Sequence, residues 1–391
     1  MTSRERFLKT FKGEIPDRVP VSLFIVDQGH FITQLYPNID PHDTDEIQSK
    51  ILEFSKELGA DVFLRMLYNV YDTTHVLYGG LDISQQTENW EVKTSEYRRG
   101  DTTVYHSVIR TPDGNLEQEY SVNEMRRGTF MYACTEDPVK DEKDLDIVIK
   151  YEPPMPADFP NKAKKAIEKM KQKVGDDGIV GVWAPYGPFN NASLVMDLSE
   201  LYELFYTDPD YYEKLMKWSV TRFQDYTVAL AAAGPDVMHV GGNVPGGFLG
   251  KRNYDKYILP YEKQHVEVCQ AKGAYGMYHN CGEIMNLVES YVDLGISSVD
   301  PFSPPPLGDA DLAKVKEIVN GRYVVLGGVD QVNVLQNGTV EQVVEVTKKT
   351  VETGKPGGRF ILQSADFLEY DTPIENLEAF VKTGIEFGGL S

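Results

Sequence analysis

Cysteine is scarce in this chain: three residues in 391, Cys134, Cys269 and Cys281. That count excludes a disulfide-stapled scaffold and fits a reducing compartment. Positive charge is scarce as well, with 39 Lys and Arg against 60 Asp and Glu and a formal net charge of −21. A polyanionic duplex or an anionic lipid surface would repel such a chain, which argues against nucleic-acid and membrane partners. No apolar run reaches the ~18 residues of a membrane span. The opening MTSRERFLKTFKG has no apolar core of the kind a secretory leader carries. A cytoplasmic protein is the expectation. Low-complexity tracts and short-period repeats are also missing.

What is present is a regular alternation. Short runs rich in β-branched or aromatic residues fall at 18–25, 61–67, 178–185, 235–242, 274–281, 296–302, 323–329 and 359–365. Amphipathic helix patterns lie between most of them, at 43–58, 161–173, 197–206, 209–233, 254–272, 283–294, 309–319, 339–353 and 373–388. Eight strands separated by helices predict an α/β fold, a (β/α)₈ TIM barrel forming one domain over 1–391. One interval breaks the rhythm. Residues 80–150 alternate as antiparallel strands do, and Thr111-Pro-Asp-Gly114 is a hairpin turn signal. This interval reads as a β-rich insertion lying over the barrel mouth.

In a barrel the strand ends open on one face, and that face carries the chemistry. The stretch Gly276-Met-Tyr-His-Asn-Cys-Gly-Glu283 ends one such strand. His279 and Cys281, two residues apart, point to the same side and together suit a soft divalent metal such as zinc. The bland alternative is a packed strand end with a small buried thiol. Asp27 and His30, just past the first strand, are candidates for catalytic acid and base, or else cap the next helix. Phe24, Tyr186 and Asn243 stand at strand ends as substrate-binding candidates, among further aromatics at Tyr68, Tyr71, Trp183 and Phe189. His239, inside a strand, reads as a satisfied core histidine. Asp300 and Asp330 read as second-layer hydrogen-bonding groups or rim closures. The glycines of GGNVPGG lack the Lys-Ser/Thr of a phosphate loop, so they read as backbone turns.

Four stretches together, RERFLKTFKGEIPDRVPV, TPDG, HNCG and GGVD…TPIENLEAF, resemble the uroporphyrinogen decarboxylase superfamily over essentially the whole chain. The resemblance implies a (β/α)₈ barrel and one of two activities, porphyrinogen decarboxylation or corrinoid-dependent methyl transfer. The decarboxylases carry an arginine-rich stretch after the first strand. Here that place is Phe24-Ile-Val-Asp-Gln-Gly-His-Phe-Ile-Thr33, without arginine, and a polycarboxylate would find no bidentate partner there. The methyltransferase branch fits better. It implies zinc held by a His-x-Cys pair plus a late cysteine. His279 and Cys281 match the pair. Counting back from Thr372-Pro-Ile-Glu-Asn376 puts Asp366 in the late cysteine's place, with Ser364 as the alternative. Glu283 is a possible fourth ligand, or an acid in the first turn of the helix at 283–294.

A carboxylate donates less electron density than a thiolate and leaves the metal a stronger Lewis acid toward oxygen. The expected donor is therefore an oxygen-bound methyl, a methoxylated aromatic ahead of methanol. The Asp-x-His-x-x-Gly pattern of corrinoid domains is missing, so the corrinoid is expected on a separate partner protein that docks transiently. The acidic chain predicts a locally basic patch on that partner, and the reading leaves room for a homodimer. Alternatives are a methylcobalamin:thiol methyltransferase, a decarboxylase, or a non-catalytic ligand-binding barrel.

Overall fold

The computed structural model describes residues 1–26, 31–67, 80–126, 129–242, 244 and 246–390. In chain order the strands begin with β1 (Val62–Met66). An insertion follows, made of β2 (Glu91–Arg99), β3 (Thr102–Thr111), β4 (Gly114–Arg126) and β5 (Thr129–Glu136). The chain then returns to the main sheet through β6 (Gly178–Trp183), β7 (Val237–Gly241), β8 (Tyr275–His279), β9 (Ser298–Phe302), β10 (Val324–Val329) and β11 (Phe360–Ser364). The main sheet is parallel throughout, in the order β1-β6-β7-β8-β9-β10-β11.

The eighth position is filled by the extended segment before the first helix-rich stretch. Val21 bridges Leu362 of β11 and Val26 bridges Arg65 of β1, both in parallel sense, so this segment closes the ring. It carries fewer ladder bonds than a regular strand. Pro20 has no N–H to give, although its carbonyl accepts from Leu362 at 2.9 Å. The N–H of Val21 goes instead to the Asp61 carboxylate at 2.8 Å. The expected (β/α)₈ barrel is thus the observed one.

Polarity changes along the barrel axis. At the N-terminal end Phe63, Ile179, Val237, Met277, Val324, Leu326 and Ile361 form an apolar layer. Phe7 and Phe11 of the helix Ser3–Lys12 plug it from below. A Thr2–Glu5 capping box fixes where that helix starts. One layer higher the interior is polar: Arg65, His239, Asp300 and Gln363 are all buried there. Such groups are expensive to bury unless paired, so the layer marks the functional end.

Three helices depart from the sequence pattern for local reasons. The 209–233 pattern is two helices, Pro209–Arg222 and Gln224–Ala232, separated at Phe223. The 254–272 pattern starts as a π turn, Tyr254–Ile258, and becomes α-helical at Leu259–Gln270. Pro260, which has no N–H, stands in the first turn of that α-helix. Of 283–294 only Ser290–Leu294 is helical. Asp309 takes the N–H groups of Ile284 and Met285 at 2.8 and 3.1 Å and holds that stretch in turns.

The insertion is a four-stranded antiparallel meander whose β3–β4 turn is Pro112-Asp113, with Thr111 paired to Gly114. It is tied to the body by backbone hydrogen bonds. Gly80 donates its N–H to the Leu194 carbonyl at 3.1 Å, and Val139 donates to the Val195 carbonyl at 2.9 Å.

Candidate functional site

His279 is the last residue of β8, and Cys281 follows two positions later. The residue between them points the other way. The buried Asn280 side chain accepts from Val244 N–H at 2.9 Å and donates to the Val244 carbonyl at 2.9 Å and the Tyr291 hydroxyl at 2.7 Å. That staple sends the side chains of 279 and 281 to the same side. Gly282, at φ 84°, then turns the chain away in a conformation that disfavours other residues.

Asp366 reaches the same place from β11. The Ala365 N–H bonds the Val329 carbonyl at 2.7 Å, which keeps the chain in the barrel wall past the strand's end. One donor atom each from His279, Cys281 and Asp366 lie within 4.8 Å of one another. An imidazole, a thiol and a carboxylate converging so closely form a donor set that fits zinc with a position left open. Ser364, the alternative third donor, is buried, and its hydroxyl has no hydrogen-bond partner among the described residues.

A second cluster, His106, Glu117 and Glu136, spans β3, β4 and β5 on the insertion. There Lys140 already holds Glu136 at 2.7 Å, and Glu117 is exposed.

The three donors stand at one side of a cavity of about 290 Å³. Its other walls are Phe24, Val26, Leu67, Trp183, Tyr186 and Phe367. Beneath it, the Asp300 carboxylate from β9 accepts from His279 Nδ1 at 3.3 Å and from Arg65 at 2.7 Å. Arg65 also donates to Gln363 at 2.7 Å, and its guanidinium lies 3.6 Å from the centre of the Phe24 ring. Tying Nδ1 down fixes the ring and leaves Nε2 as the ligand atom.

Burial alone would lower the basicity of His279. The hydrogen bonds to Asp300 and Cys281 and the Asp300 charge outweigh it and hold the imidazolium up to about 10. Burial also opposes ionisation of Asp300, yet Arg65 and His279 keep its carboxyl below the ordinary range. Asp366 goes the other way: burial raises it despite the attraction of His279. A site with these partners favours a cation in its centre.

The residues singled out in the sequence divide into three groups. His279, Cys281, Asp366, Phe24, Tyr186 and Trp183 come together around one cavity. Asp27, His30, Asn243, Tyr68 and Tyr71 lie outside the described residues. The rest serve elsewhere. Phe189 is buried against Tyr202. Asp330 caps the turn that follows it, accepting from Val332 and Asn333. Glu283 precedes the helix rather than opening it, and packs against Gly247. His239 is in the core, but neither ring nitrogen has a hydrogen-bond partner among the described residues, and its ring lies 4.5 Å from that of Trp183. Arg65 escaped the sequence reading. The signal was there, as one arginine inside the apolar run DVFLRML, matched by an aspartate inside ISSVDPF.

Comparison with known proteins agrees with this architecture. Methylcobamide:CoM methyltransferase MtbA of Methanosarcina acetivorans is 25% identical over 361 residues, 90% of this chain and 90% of that protein. MtbA of Methanosarcina mazei is 20% identical over 360 residues, again 90% of each. A solved structure of a methyltransferase from Methanosarcina mazei shares the fold, with a TM-score of 0.70 and 18% identity over 99% of both chains. Residues 121–387 match the description "Uroporphyrinogen decarboxylase (URO-D)". The chain belongs to the uroporphyrinogen decarboxylase family.

Proposed function

We propose that this chain is a zinc-dependent methyltransferase that moves a methyl group from an oxygen-bound donor to the cobalt of a corrinoid carried by a separate protein. A methoxylated aromatic is the favoured donor, ahead of methanol. The observation that carries the reading is the convergence of His279, Cys281 and Asp366 beside an aromatic cavity at the strand ends. Relatives that are methylcobamide methyltransferases, each matched over 90% of this chain, support its coarser part, corrinoid-dependent methyl transfer. The chain acts as one domain in this reading, with the 80–150 insertion over the mouth.

His279, Cys281 and Asp366 are the residues that would hold the metal. Bound there, zinc supplies Lewis acidity toward the leaving oxygen. The protein's own groups do the rest. Phe24, Trp183, Tyr186 and Phe367 give an aromatic donor flat apolar walls and exclude water from it. Asp300 keeps the His279 ring from rotating. The methyl–oxygen bond breaks with its electron pair on oxygen, and the pair on Co(I) forms the new bond to carbon. The departing oxygen needs a proton, and Asp27 and His30 are the proposed sources.

The relatives favour a second reading, methyl transfer to a small thiol such as CoM, as in their names. The cavity argues against it. CoM carries a sulfonate, and among the described residues no Arg or Lys lines the cavity. Arg65 is sealed behind Phe24 and already committed to Asp300, while Asp366 would repel an anion.

The deciding experiment combines metal analysis with an assay for methyl-cobalt. About one zinc per chain is expected. Reduced cobalamin should give the methyl-cobalt spectrum with 2-methoxyphenol, more slowly with methanol. Turnover with methylated thiols alone would hand the site to the second reading. No transfer from any donor by zinc-loaded protein would refute both.

A further inference from the structure

The cavity beside the metal ligands is small. At about 290 Å³ it holds a donor of a few heavy atoms to one aromatic ring, at the lower limit for small-molecule pockets. A corrin macrocycle with its side chains is far larger. In the methyltransferase reading, on which this inference rests, the cobalt therefore stays outside and faces the cavity across the rim. The part of the rim it meets must be exposed and bordering the cavity.

Among the described residues, one exposed part of the C-terminal face is linked to the cavity wall through neighbouring residues. Every residue between the end of a barrel strand and the next outer helix lies on that face. After β6 comes the helix Leu198–Thr207, on which Leu198, Tyr202 and Tyr206 repeat at i, i+4 and i+8 and so share one side. Leu198 is 43% exposed, Tyr206 is 67% exposed, and Tyr202 is half-buried. After β7 comes Phe248, 75% exposed, with its ring 5.1 Å from that of Tyr202. These four side chains make a continuous apolar ridge. Solvent-facing aromatics in contact with one another need an occupant to shield them.

Two contacts join the ridge to the cavity. Tyr202 packs on Phe189, in the short helix Pro188–Ser193 that follows the cavity-lining Tyr186. Gly247, next to Phe248, lies against Glu283, two residues beyond the ligand Cys281.

Charge narrows the occupant. The segment 246–258 holds Lys251, Arg252 and Lys256 against Asp255 alone, in a chain of net charge −21. Arg252 is exposed, and Lys256 lies 4.5 Å over the Tyr257 ring. By helical spacing Glu200 falls on the opposite side of the Leu198–Thr207 helix, while Glu203, three residues before Tyr206, borders the ridge. The 246–258 side of the ridge is thus locally basic, while Glu203 and Glu283 border its other sides. The chain's overall acidity predicts a basic patch on the partner, but the 246–258 side calls for an acidic one.

We propose that Leu198, Tyr202, Tyr206 and Phe248, flanked by Arg252 and Lys256, form the docking surface for the corrinoid-carrying protein, which meets it with an apolar rim and an acidic patch. Docking there sets the cobalt across the mouth from His279, Cys281 and Asp366. The contact is transient, since the partner leaves once methylated, and a modest interface suffices.

The test compares two probes in the methyl-cobalt assay: free cob(I)alamin, and Co(I) corrinoid on a purified corrinoid-binding protein from the same organism. In the double variant Phe248→Ser/Tyr206→Ser the rate with free cob(I)alamin stays within about twofold, and the KM for the protein-borne corrinoid rises at least about tenfold, as for the loss of central interface residues. Arg252→Glu raises that KM in low salt and by less in high salt. An unchanged KM in both variants, with wild type active on free cob(I)alamin, overturns the docking surface and leaves the methyltransferase reading standing. A shift from dimer to monomer with an unchanged KM assigns the ridge to a second copy of the chain and also overturns it. Wild type inert toward both probes refutes the methyltransferase reading and the docking surface with it.

Discussion

The carboxylate of Asp300 stands between His279 and Arg65, its two oxygens 3.3 Å from the imidazole Nδ1 and 2.7 Å from the guanidinium. All of this lies below the cavity, where Asp300 and Arg65 have no exposure. The arrangement makes Asp300 a positioning residue for the metal ligand. Asp300→Asn keeps the shape but weakens the hold on His279, so zinc affinity should fall by about tenfold to a hundredfold. Competition with a chromophoric chelator measures this directly. Wild-type affinity in the variant would show that the hydrogen bond does not set the ligand's orientation.

The opposite change probes the same pair from below. Arg65→Leu strips a buried carboxylate of its cationic partner, and losing one member of a buried ion pair destabilises by about 3–5 kcal/mol. A lower Tm is expected, together with a His279 ring that is free to turn. The double variant Arg65→Leu/Asp300→Leu removes both charges and should recover much of the Tm but not the zinc affinity. Equal zinc affinity in the double variant and wild type would detach the layer from the site.

Asp366 admits a finer test, because its two replacements separate binding from chemistry. Asp366→Asn removes the charge and should lose zinc. Asp366→Cys restores a sulfur-rich donor set and should keep zinc, yet be slower with an oxygen-bound methyl donor. Zinc content and rate thus part company across the two variants. If Asp366→Ala matches wild type in both, another group holds the third position.

The sequence pattern already contained the barrel, because each parallel strand is a short apolar run and each helix shows its own periodicity. Runs such as 324–329 and 360–364 can be seen without any tertiary information. The His279–Cys281 pair was readable for the same reason, since strand alternation alone puts both on one side. Asp366 needed the resemblance: nothing local distinguishes it from any aspartate after a strand. The helix at 283–294 failed because its N–H groups were claimed by Asp309, more than twenty residues away in sequence. Arg65 was missed because its meaning lies in Asp300, on a strand that sequence spacing does not connect to it. What stayed hidden was pairing between distant residues.

The last prediction concerns a buried acid. Glu262, in the helix Leu259–Gln270, has no solvent exposure. One oxygen accepts from the Phe189 N–H at 3.3 Å, while the other has no partner among the described residues. The carboxyl lies directly against Gly187, where any Cβ would collide with it, so it sits under the loop that presents Tyr186 to the cavity. Burial pushes this acid from 4.5 up to about 8, against the smaller opposing effect of the Phe189 N–H. In the unfolded chain it titrates near its ordinary value. Between these two pKa values the native state holds a proton that the unfolded state has lost. Stability therefore falls as pH rises from about 4.5 toward 8, by up to about 1.4 kcal/mol per pH unit, and this contribution levels off above 8. Glu262→Gln keeps the shape without the titration. Its Tm should lie close to that of wild type at pH 5 and exceed it increasingly as the pH approaches 8. Differences between the two proteins cancel the other titrating groups they share. Parallel Tm profiles across that range would mean that Glu262 is already ionised in the native protein, with a partner for its second oxygen.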